Sequence, residues 1–343
     1  MEIGTASTPE AAMARALELA RRGPVGVNPR VGCVVLGTDG RVVGEGWHEG
    51  AGTPHAEAAA LAEAGSAARG GTAVVTLEPC GHTGRTGPCT AALITAGVER
   101  VVFARPDHTT DAGGGAERLR AAGIETALLD DTELRAAADA LVADWQRAVD
   151  LARPVVTWKV ATTIDGRSAA QDGTSAWITG AEARRDVHAL RGEVDTVLVG
   201  TGTAWVDDPR LSVRDADDTE LERQPLRAVM GLRGLRPGSA LERAGATELR
   251  TRDPRAALQR LWDLDRRHVW LEGGPTLAAA FWRAGLVDRV IAYVGAALLG
   301  SGRPAIDDLA ITTMADIARL RLDDVTRFGS DVRLTYTPIE RNT

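Results

Sequence analysis

The chain has 343 residues, a length that favours two domains of the usual ~100–200 residues each. Apolar residues make up 44% and charged residues 25%, which is typical of folded globular proteins and excludes collagen-like, disulfide-framed and largely disordered classes. The net charge of −7 argues against an extended nucleic-acid surface, because phosphate binding needs a basic face. The apolar stretches fall short of the ~18–20 residues of a membrane span. The N-terminus also lacks the pattern of a signal peptide, so we expect a cytoplasmic protein with neither a nucleic-acid nor a membrane partner.

The first half of the chain alternates strand and helix patterns. Residues 9–22 carry apolar side chains at helical spacing, and Gly23-Pro24 ends this helix. Thr38-Asp39-Gly40 between two apolar runs predicts a hairpin. The other predicted elements are strands over 31–36, 41–45, 72–77, 100–104 and 124–129, and helices over 55–68, 89–96, 116–122 and 132–149. This order predicts a mixed sheet of about five strands between layers of helices.

Arg153-Pro154 marks the expected domain boundary, since Pro154 cannot continue a helix. We therefore predict one domain over residues 1–150 and a second over 154–343. In the second half, the patterns predict strands over 155–161, 196–199, 226–230, 269–271 and 290–294, helices over 180–191 and 275–284, a turn at 200–202 and a loop over 215–224. The second domain is therefore also of the α/β class.

Three residues of metal-ligand type, His55, Cys80 and Cys89, stand in the first half. One imidazole and two thiolates form a three-ligand zinc set that leaves the fourth tetrahedral position for water. Zinc lowers the pKa of such a water toward neutrality and so generates a nucleophile for hydrolysis. Glu57 follows His55 by two positions, where it can carry protons without binding the metal. The order His-x-Glu and then Pro-Cys is the signature of zinc nucleobase deaminases.

Two other interpretations of these residues stay open on the sequence alone. A fourth ligand would make a closed structural zinc site, and His82 is the nearby candidate. A single His-x-Glu in an alanine-rich helix is more often a solvated helix face. Cys33 lies within the apolar run 31–35 and is interpreted as a small buried side chain.

Longer strings in both halves follow one family pattern. They include Asn28-Pro-Arg-Val-Gly-Cys33, Thr76-Leu-Glu-Pro-Cys-Gly-His82, Gly84-Arg-Thr-Gly-Pro-Cys89, Trp158-Lys-Val-Ala-Thr-Thr-Ile-Asp-Gly-Arg167, Asp207-Asp-Pro-Arg-Leu211 and Glu272-Gly-Gly-Pro-Thr-Leu277. The loop between the two cysteines is longer than the two residues typical of editing deaminases. In these strings, which run in order along nearly the whole chain, the sequence resembles the bifunctional riboflavin-biosynthesis deaminase–reductases.

The resemblance implies a cytidine-deaminase-like three-layer α/β/α domain followed by a dihydrofolate-reductase-like α/β domain. It implies one Zn²⁺ per chain on His55, Cys80 and Cys89, with Glu57 as the catalytic proton carrier, and NADPH at the second site. The first reaction would be hydrolytic deamination of 2,5-diamino-6-ribosylamino-4(3H)-pyrimidinone 5′-phosphate. The second would reduce the ribosyl side chain to give 5-amino-6-ribitylaminouracil 5′-phosphate. Members of the family are commonly homodimers or homotetramers, so the same is expected here.

Further site residues are implied position by position by the same resemblance. The implied substrate contacts are Asn28, Arg85, Asp107, Ser175, Arg191, Leu211, Arg214 and Glu272. The implied NADPH contacts are Ala161, Trp177, Thr203, Asp207, Gly274, Pro275 and Thr276. Glycines that open a helix after a strand leave backbone amides free to bind phosphate. Lys159, the sole lysine, is interpreted either as a family position or as an ion-pair partner of Asp165 or another carboxylate, and its role stays open.

Two departures from the family pattern keep alternatives open. Asp107-His108-Thr109 stands where members usually carry Asp-Pro-Asn, and Gly231 stands where many carry aspartate. A paralogue with one degenerate site, or with a related aminopyrimidine substrate, would fit these departures. A nucleic-acid-editing deaminase is disfavoured by the acidic charge and the 4% aromatic content. A zinc-stabilised scaffold without activity predicts that Glu57→Gln changes no function.

Overall fold

The computed structural model describes residues 7–81, 87–108 and 113–339. The chain divides into two compact units, residues 1–146 and 147–343, and each unit has its own mixed α/β sheet. The predicted α/β class of both halves is thereby confirmed. None of the described helices combines the length and the apolar character needed to cross a membrane.

The N-terminal unit is built on a five-stranded sheet, as the sequence predicts. Its elements are α1 (Pro9–Arg22), β1 (Gly32–Leu36), β2 (Val42–Trp47), α2 (Ala56–Ala64), β3 (Thr72–Val75), α3 (Cys89–Ala96), β4 (Arg100–Phe103), α4 (Gly115–Ala121), β5 (Glu125–Leu128) and α5 (Thr132–Leu151). A short 3-10 helix, Gly65–Ala68, follows α2. The strand order is β2-β1-β3-β4-β5. β1 pairs antiparallel with β2 and β3, whereas β3, β4 and β5 are parallel.

Both faces of this sheet are covered by helices. Cys33 and Val35 of β1 pack with α2, α3 and α4 on one face, while Val34 and Leu36 pack with α1 and α5 on the other. Successive strand residues point to opposite faces, so a strand covered on both sides has a continuous apolar sequence. Cys33 is fully buried, which confirms its interpretation as a core residue.

α2 packs unusually close to β2 because small residues face each other. Gly44 and Gly46 of β2 lie against the backbone of α2, and a Cβ at either glycine would collide with it. The facing residues of α2 are alanines spaced four apart, Ala56, Ala60 and Ala64, and all are buried. This close contact fixes the start of α2, where the predicted metal ligand His55 and the predicted proton carrier Glu57 lie.

The C-terminal unit contains an eight-stranded sheet. Its elements are β6 (Val155–Thr163), β7 (Arg167–Ala169), α6 (Ala181–Arg191), β8 (Thr196–Gly200), α7 (Thr201–Val206), β9 (Leu226–Met230), α8 (Ala240–Arg243), β10 (Thr247–Leu249), α9 (Pro254–Asp263), β11 (His268–Leu271), α10 (Pro275–Arg283), β12 (Arg289–Gly295), β13 (Arg303–Pro304), β14 (Leu320–Phe328) and β15 (Asp331–Pro338). A 3-10 helix covers Met314–Asp316. The strand order is β10-β9-β8-β11-β6-β12-β15-β14, and a separate ribbon pairs β13 with β7.

The strands from β10 to β12 in this order are parallel, so their carboxyl ends lie along one edge of the sheet. In open parallel sheets this edge is where ligands bind. The buried carboxylate of Asp288 anchors the beginning of β6, because it accepts hydrogen bonds from Arg153 and from the backbone N–H of Val156 at 2.8 Å each. Buried side chains of β6, β8, β9 and β11 form the core with α9 and α10.

The structure adds several elements that the sequence patterns do not predict. β14 and β15 form an antiparallel hairpin at the end of the sheet, and α9 and β10 lie in a region without an assigned element. β14 is an edge strand with mostly exposed residues, so it lacks apolar alternation. The turn predicted at Gly200-Thr201-Gly202 is wrong, since Gly200 ends β8 and Thr201 begins α7.

Candidate active sites

His55, Cys80 and Cys89 come together in the N-terminal unit, with their ligand atoms all within 4.8 Å of one another. His55 Nδ1 lies 3.1 Å from Cys89 Sγ and 3.6 Å from Cys80 Sγ. Bond lengths of about 2.0 Å to nitrogen and 2.3 Å to sulfur at a tetrahedral angle place N and S about 3.5 Å apart. The three residues therefore fit a zinc ion.

The fold presents each ligand at the end of an element. His55 is the N-cap residue of α2, and Cys89 is the first residue of α3. Cys80 lies beyond the carboxyl end of β3, and its sulfur accepts a hydrogen bond from the backbone N–H of Cys89 at 3.4 Å. The positive ends of two helix dipoles favour the thiolates that a metal requires.

Ionisation in this cluster follows from its burial and its hydrogen bonds. The pKa of Cys80 is lowered to about 4, chiefly because the Cys89 thiol donates to its thiolate and because His55 also contacts it. Glu57 is 3% exposed, and burial raises the pKa of its carboxyl group. The Glu57 side chain also contacts Cys89. A buried carboxyl beside the metal ligands is suited to take up and release a proton.

Asn28 is held at the edge of this cluster by a histidine that the sequence analysis missed. Asn28 Nδ2 lies 2.8 Å from His48 Nε2, and the rings of His48 and His55 meet edge to face at 5.4 Å between centroids. His48 is buried, and burial lowers its pKa. The neighbouring Val27 carbonyl accepts a hydrogen bond from Trp145 Nε1 at 2.8 Å, which anchors the same loop.

Asp107 follows β4, and its backbone is hydrogen-bonded to a second buried carboxylate, that of Glu78, close to Cys80. Glu78 Oε2 accepts the backbone N–H of Asp107 at 3.1 Å, and Glu78 Oε1 accepts that of Ala116 at 2.8 Å. Glu78 lies two residues before Cys80, so one side chain links both segments. Two predicted positions, the substrate residue Arg85 and the alternative ligand His82, lie outside the described residues.

In the C-terminal unit, four predicted substrate residues are brought together around Ser212. Arg191 and Glu272 form a two-pronged ion pair, with 2.8 Å from Nε to Oε1 and 2.5 Å from Nη2 to Oε2. Arg191 also donates to the Ser212 carbonyl, and Arg214 Nε donates to the Ser212 hydroxyl at 3.2 Å. Leu211 precedes Ser212 and is buried, with a φ of 51°.

Lys159 of β6 belongs to the same charged cluster. Burial lowers the pKa of Lys159, and its charged neighbours are Glu272 and Arg191. Glu272 has a pKa of about 2, because the two cations and a hydrogen bond from Trp270 outweigh its burial. Glu272 is therefore a carboxylate whose charge acts on Lys159, and the role of Lys159 stays open. Asp165 instead accepts hydrogen bonds from Thr163 and from the backbone N–H groups of Leu299 and Gly300.

The predicted cofactor residues Thr203 and Gly274 face each other at the carboxyl ends of adjacent parallel strands. A Cβ at Gly274 would lie 4.0 Å from Thr203 Oγ1, and one at Gly202 would meet nothing within 4 Å. A side chain could be accommodated at either glycine. Because glycine has none, a space is left in front of α10. α10 begins at Pro275 with Gly274 as its N-cap, and no side chain caps it. A phosphate group fits such a space.

The other predicted contacts lie in varied surroundings. Ala161 lies on β6 opposite Tyr293 of β12. Trp177 is 75% exposed, with the Arg184 guanidinium 4.7 Å from its ring centroid, and Ser175 is exposed nearby in the chain. Asp207 ends α7. Thr276 Oγ1 donates to Asp307 at 2.6 Å, so this hydroxyl is engaged within the chain.

Sequence reasoning missed His48, Glu78 and Ser212. All three act through hydrogen bonds to residues distant in sequence, and local spacing carries no signal for such contacts. Glu78 is the partial exception, since it stands inside the Thr76-Leu-Glu-Pro-Cys-Gly-His82 string that carries the resemblance.

The fold and the sites together define a two-activity enzyme, a zinc deaminase joined to a reductase. The cytidine and deoxycytidylate deaminase zinc-binding region matches residues 6–105, and the RibD C-terminal domain matches residues 154–334. The chain belongs to the RibD family of riboflavin biosynthesis. The predicted fold classes, both enzyme activities and both cofactors, zinc and NADPH, are confirmed by this membership.

Individual relatives align along nearly the whole chain. The riboflavin biosynthesis protein RibD of Mycobacterium tuberculosis is 45% identical over 90% of both chains, and that of Escherichia coli is 37% identical over 94% of this chain and 97% of its own. The solved structure of Acinetobacter baumannii RibD superposes with a TM-score of 0.85 at 37% identity, covering 97% of this chain and 99% of that one. A Thermotoga maritima structure described as a diaminohydroxyphosphoribosylaminopyrimidine deaminase/5-amino-6-(5-phosphoribosylamino)uracil reductase has a TM-score of 0.83 at 30% identity, with coverages of 96% and 99%.

Proposed function

We propose that the chain deaminates 2,5-diamino-6-ribosylamino-4(3H)-pyrimidinone 5′-phosphate and then reduces the product with NADPH to 5-amino-6-ribitylaminouracil 5′-phosphate. Residues 1–150 carry the deaminase and 154–343 the reductase in this proposal. The observation that carries it is the convergence of His55, Cys80 and Cys89 beside buried Glu57. The printed activities of the Thermotoga maritima relative support the substrate assignment.

In the deaminase site, His55, Cys80 and Cys89 would hold zinc, which supplies an activated water when bound. Glu57 accepts the proton of that water as it adds to the ring carbon bearing the 2-amino group. The same carboxyl group then protonates the ring nitrogen, takes a second proton from the added hydroxyl group and passes it to the amino group, which leaves as ammonia. Burial of Glu57 keeps bulk water away and raises the pKa of its carboxyl group above the ordinary value. Asn28, Asp107 and Arg85 orient the substrate in this proposal.

In the reductase site, the protein's task is placement, since the opened ribosyl carbon accepts hydride readily. The start of α10 at Gly274, Pro275 and Thr276 receives a cofactor phosphate together with Thr203, and the backbone N–H groups of Gly274 and Thr276 are the donors there. Ala161, Trp177 and Asp207 complete the proposed NADPH contacts.

The substrate lies against the charged cluster around Ser212 in this proposal. Arg191 and Arg214 bind the substrate phosphate, since guanidinium groups suit phosphate oxygens. Glu272 holds Arg191 in place, and Leu211 and Ser175 line the substrate in this proposal.

Mass spectrometry of the diaminopyrimidine ribosyl phosphate incubated with the protein tests both activities. We expect the deaminated compound without NADPH and the ribityl compound with it. Deamination without reduction would contradict the reductase half. No deamination by the zinc-loaded protein would contradict the proposed substrate. It would favour another aminopyrimidine, selected through the departure from the family pattern at Asp107-His108-Thr109.

A homodimer or homotetramer and a cytoplasmic location belong to the same proposal. Cys80 and Cys89 must stay reduced to bind a metal, which a reducing compartment ensures, and all three cysteines are free. Light scattering of the purified protein measures the oligomeric state directly.

A further inference from the structure

His48 is a buried histidine outside the metal cluster, and each of its ring nitrogens has a partner. Nδ1 lies 3.1 Å from the carbonyl oxygen of Pro54, and Nε2 lies 2.8 Å from the side-chain amide of Asn28. The His48 side chain thus joins the segment before the metal ligand His55 to the loop that carries Asn28. Only 6% of His48 is exposed, so water does not replace these partners.

The direction of both hydrogen bonds follows from the chemistry of the partners. A carbonyl oxygen only accepts, so Nδ1 of His48 carries the hydrogen. The neutral ring then has a lone pair on Nε2, which accepts from an N–H donor. The Asn28 amide must therefore turn its nitrogen toward His48, and its oxygen Oδ1 faces away from the histidine.

We propose that His48 is a positioning residue of the deaminase, which holds the Asn28 amide so that Oδ1 accepts a hydrogen bond from a donor on the pyrimidine edge. This inference rests on the proposed role of Asn28 as a substrate contact. A ring N–H or amino group at that edge donates a hydrogen bond to Oδ1. A carbonyl oxygen or a ring nitrogen without hydrogen would instead place a second acceptor against Oδ1. His48 thereby contributes to substrate selection without touching the substrate itself.

Four variants of the full chain separate this role from a merely structural one. His48→Leu removes both hydrogen bonds, and Asn28→Ala removes the group that is positioned. His48→Gln places an acceptor where Nε2 was, while His48→Asn restores only the donor toward Pro54. Thr76→Val is the matched control, because it deletes another buried hydrogen bond of the same unit, from the Gly32 N–H to Thr76 Oγ1 at 3.1 Å.

We expect His48→Leu to lower kcat/KM for deamination about 10- to 100-fold, the cost of presenting a wrongly oriented partner to a hydrogen-bonding substrate. His48→Gln recovers most of this loss and His48→Asn does not. The double variant His48→Leu/Asn28→Ala is no worse than Asn28→Ala alone, because His48 acts through Asn28. Zinc content and NADPH-dependent reduction stay at the wild-type level, and Thr76→Val stays within about twofold in kcat/KM.

Three results would overturn the proposal. The first is loss of zinc in His48→Leu, which would assign His48 to the support of His55. The second is an additive double variant. The third is a ¹⁵N NMR spectrum of the zinc-loaded wild-type protein in which His48 carries its hydrogen on Nε2. This spectrum needs no substrate, so it tests the positioning of Asn28 independently of activity. Failure of the wild-type protein to deaminate the proposed compound would contradict the proposed function instead.

Discussion

The pairing of Glu272 with Arg191 predicts a large and pH-dependent contribution to stability. Their side chains are 10% and 13% exposed, so solvent screens the pair only weakly. The pKa of Glu272 is about 2 in the folded protein against an ordinary 4.5. Each pKa unit corresponds to 1.36 kcal/mol, so the ionised carboxylate stabilises the fold by about 3 kcal/mol at pH 7. Glu272→Gln keeps the shape and removes the charge, and we expect it to lose about this amount.

The sign of the pH dependence follows from the lowered pKa. Stability from a carboxylate whose folded pKa is depressed is fully present above pH 4.5 and is lost as the pH falls toward 2. The difference between wild type and Glu272→Gln should therefore shrink from about 3 kcal/mol at pH 7 to about 2 kcal/mol at pH 3.5. Urea unfolding at both pH values, read by hydrogen exchange of peptides from residues 153–339, reports on this unit alone.

Glu220→Gln is the matched control for this measurement. Glu220 also pairs with an arginine, Arg214, at 3.0 Å, but its side chain is 43% exposed. Exposed pairs contribute about 0–1 kcal/mol, so this variant should change little at either pH. A loss in Glu272→Gln that is equal at both pH values, or no larger than that of Glu220→Gln, would refute the argument.

Three further predictions concern other parts of the chain. Glu57→Gln should lower kcat of deamination by about 10²–10⁴-fold with zinc content and reduction unchanged, because the proton carrier is lost. Metal analysis and assays of both activities check this. Retained deamination would favour the interpretation as a zinc-stabilised scaffold. Gly274→Val should raise the Kd for NADPH at least about tenfold in a fluorescence titration, since the valine side chain fills the space before α10. Deamination should stay unchanged. Unaltered NADPH binding would mean that the phosphate binds elsewhere. Burial raises the pKa of Asp195 to about 6, so its ionisation costs stability as the pH rises from 4 to 7. Asp195→Asn should therefore gain roughly 2 kcal/mol relative to wild type over that range in urea unfolding, and parallel pH profiles would contradict this.

The N-terminal unit shows why much of this fold could be predicted from sequence. Its strands are covered on both faces, so β1 and β3 have short apolar runs, and glycine or proline separates them from the helices. The hairpin at Thr38-Asp39-Gly40 is local, and its signal is complete within a few residues. The edge strand β14 is the opposite case, since its pairing with β15 buries little and leaves no apolar pattern.

The sites show a similar division. The metal ligands could be predicted because zinc is bound by few types of side chain, histidine and cysteine prominent among them. Asn28 and Arg191 followed from the resemblance, but their partners His48 and Ser212 did not, since many side chains or carbonyl groups can hold an amide or a guanidinium. Such supporting contacts depend on how distant segments meet, which is decided by packing.

The two hydrogen bonds that Glu78 accepts have a consequence for the segment that follows β4. Glu78 accepts hydrogen bonds from two main-chain N–H groups, those of Asp107 and Ala116, so neither contact uses the side chain at those two positions. A change of side chain at Asp107 or His108 therefore leaves in place the main-chain attachment of this segment to Glu78, two residues before Cys80.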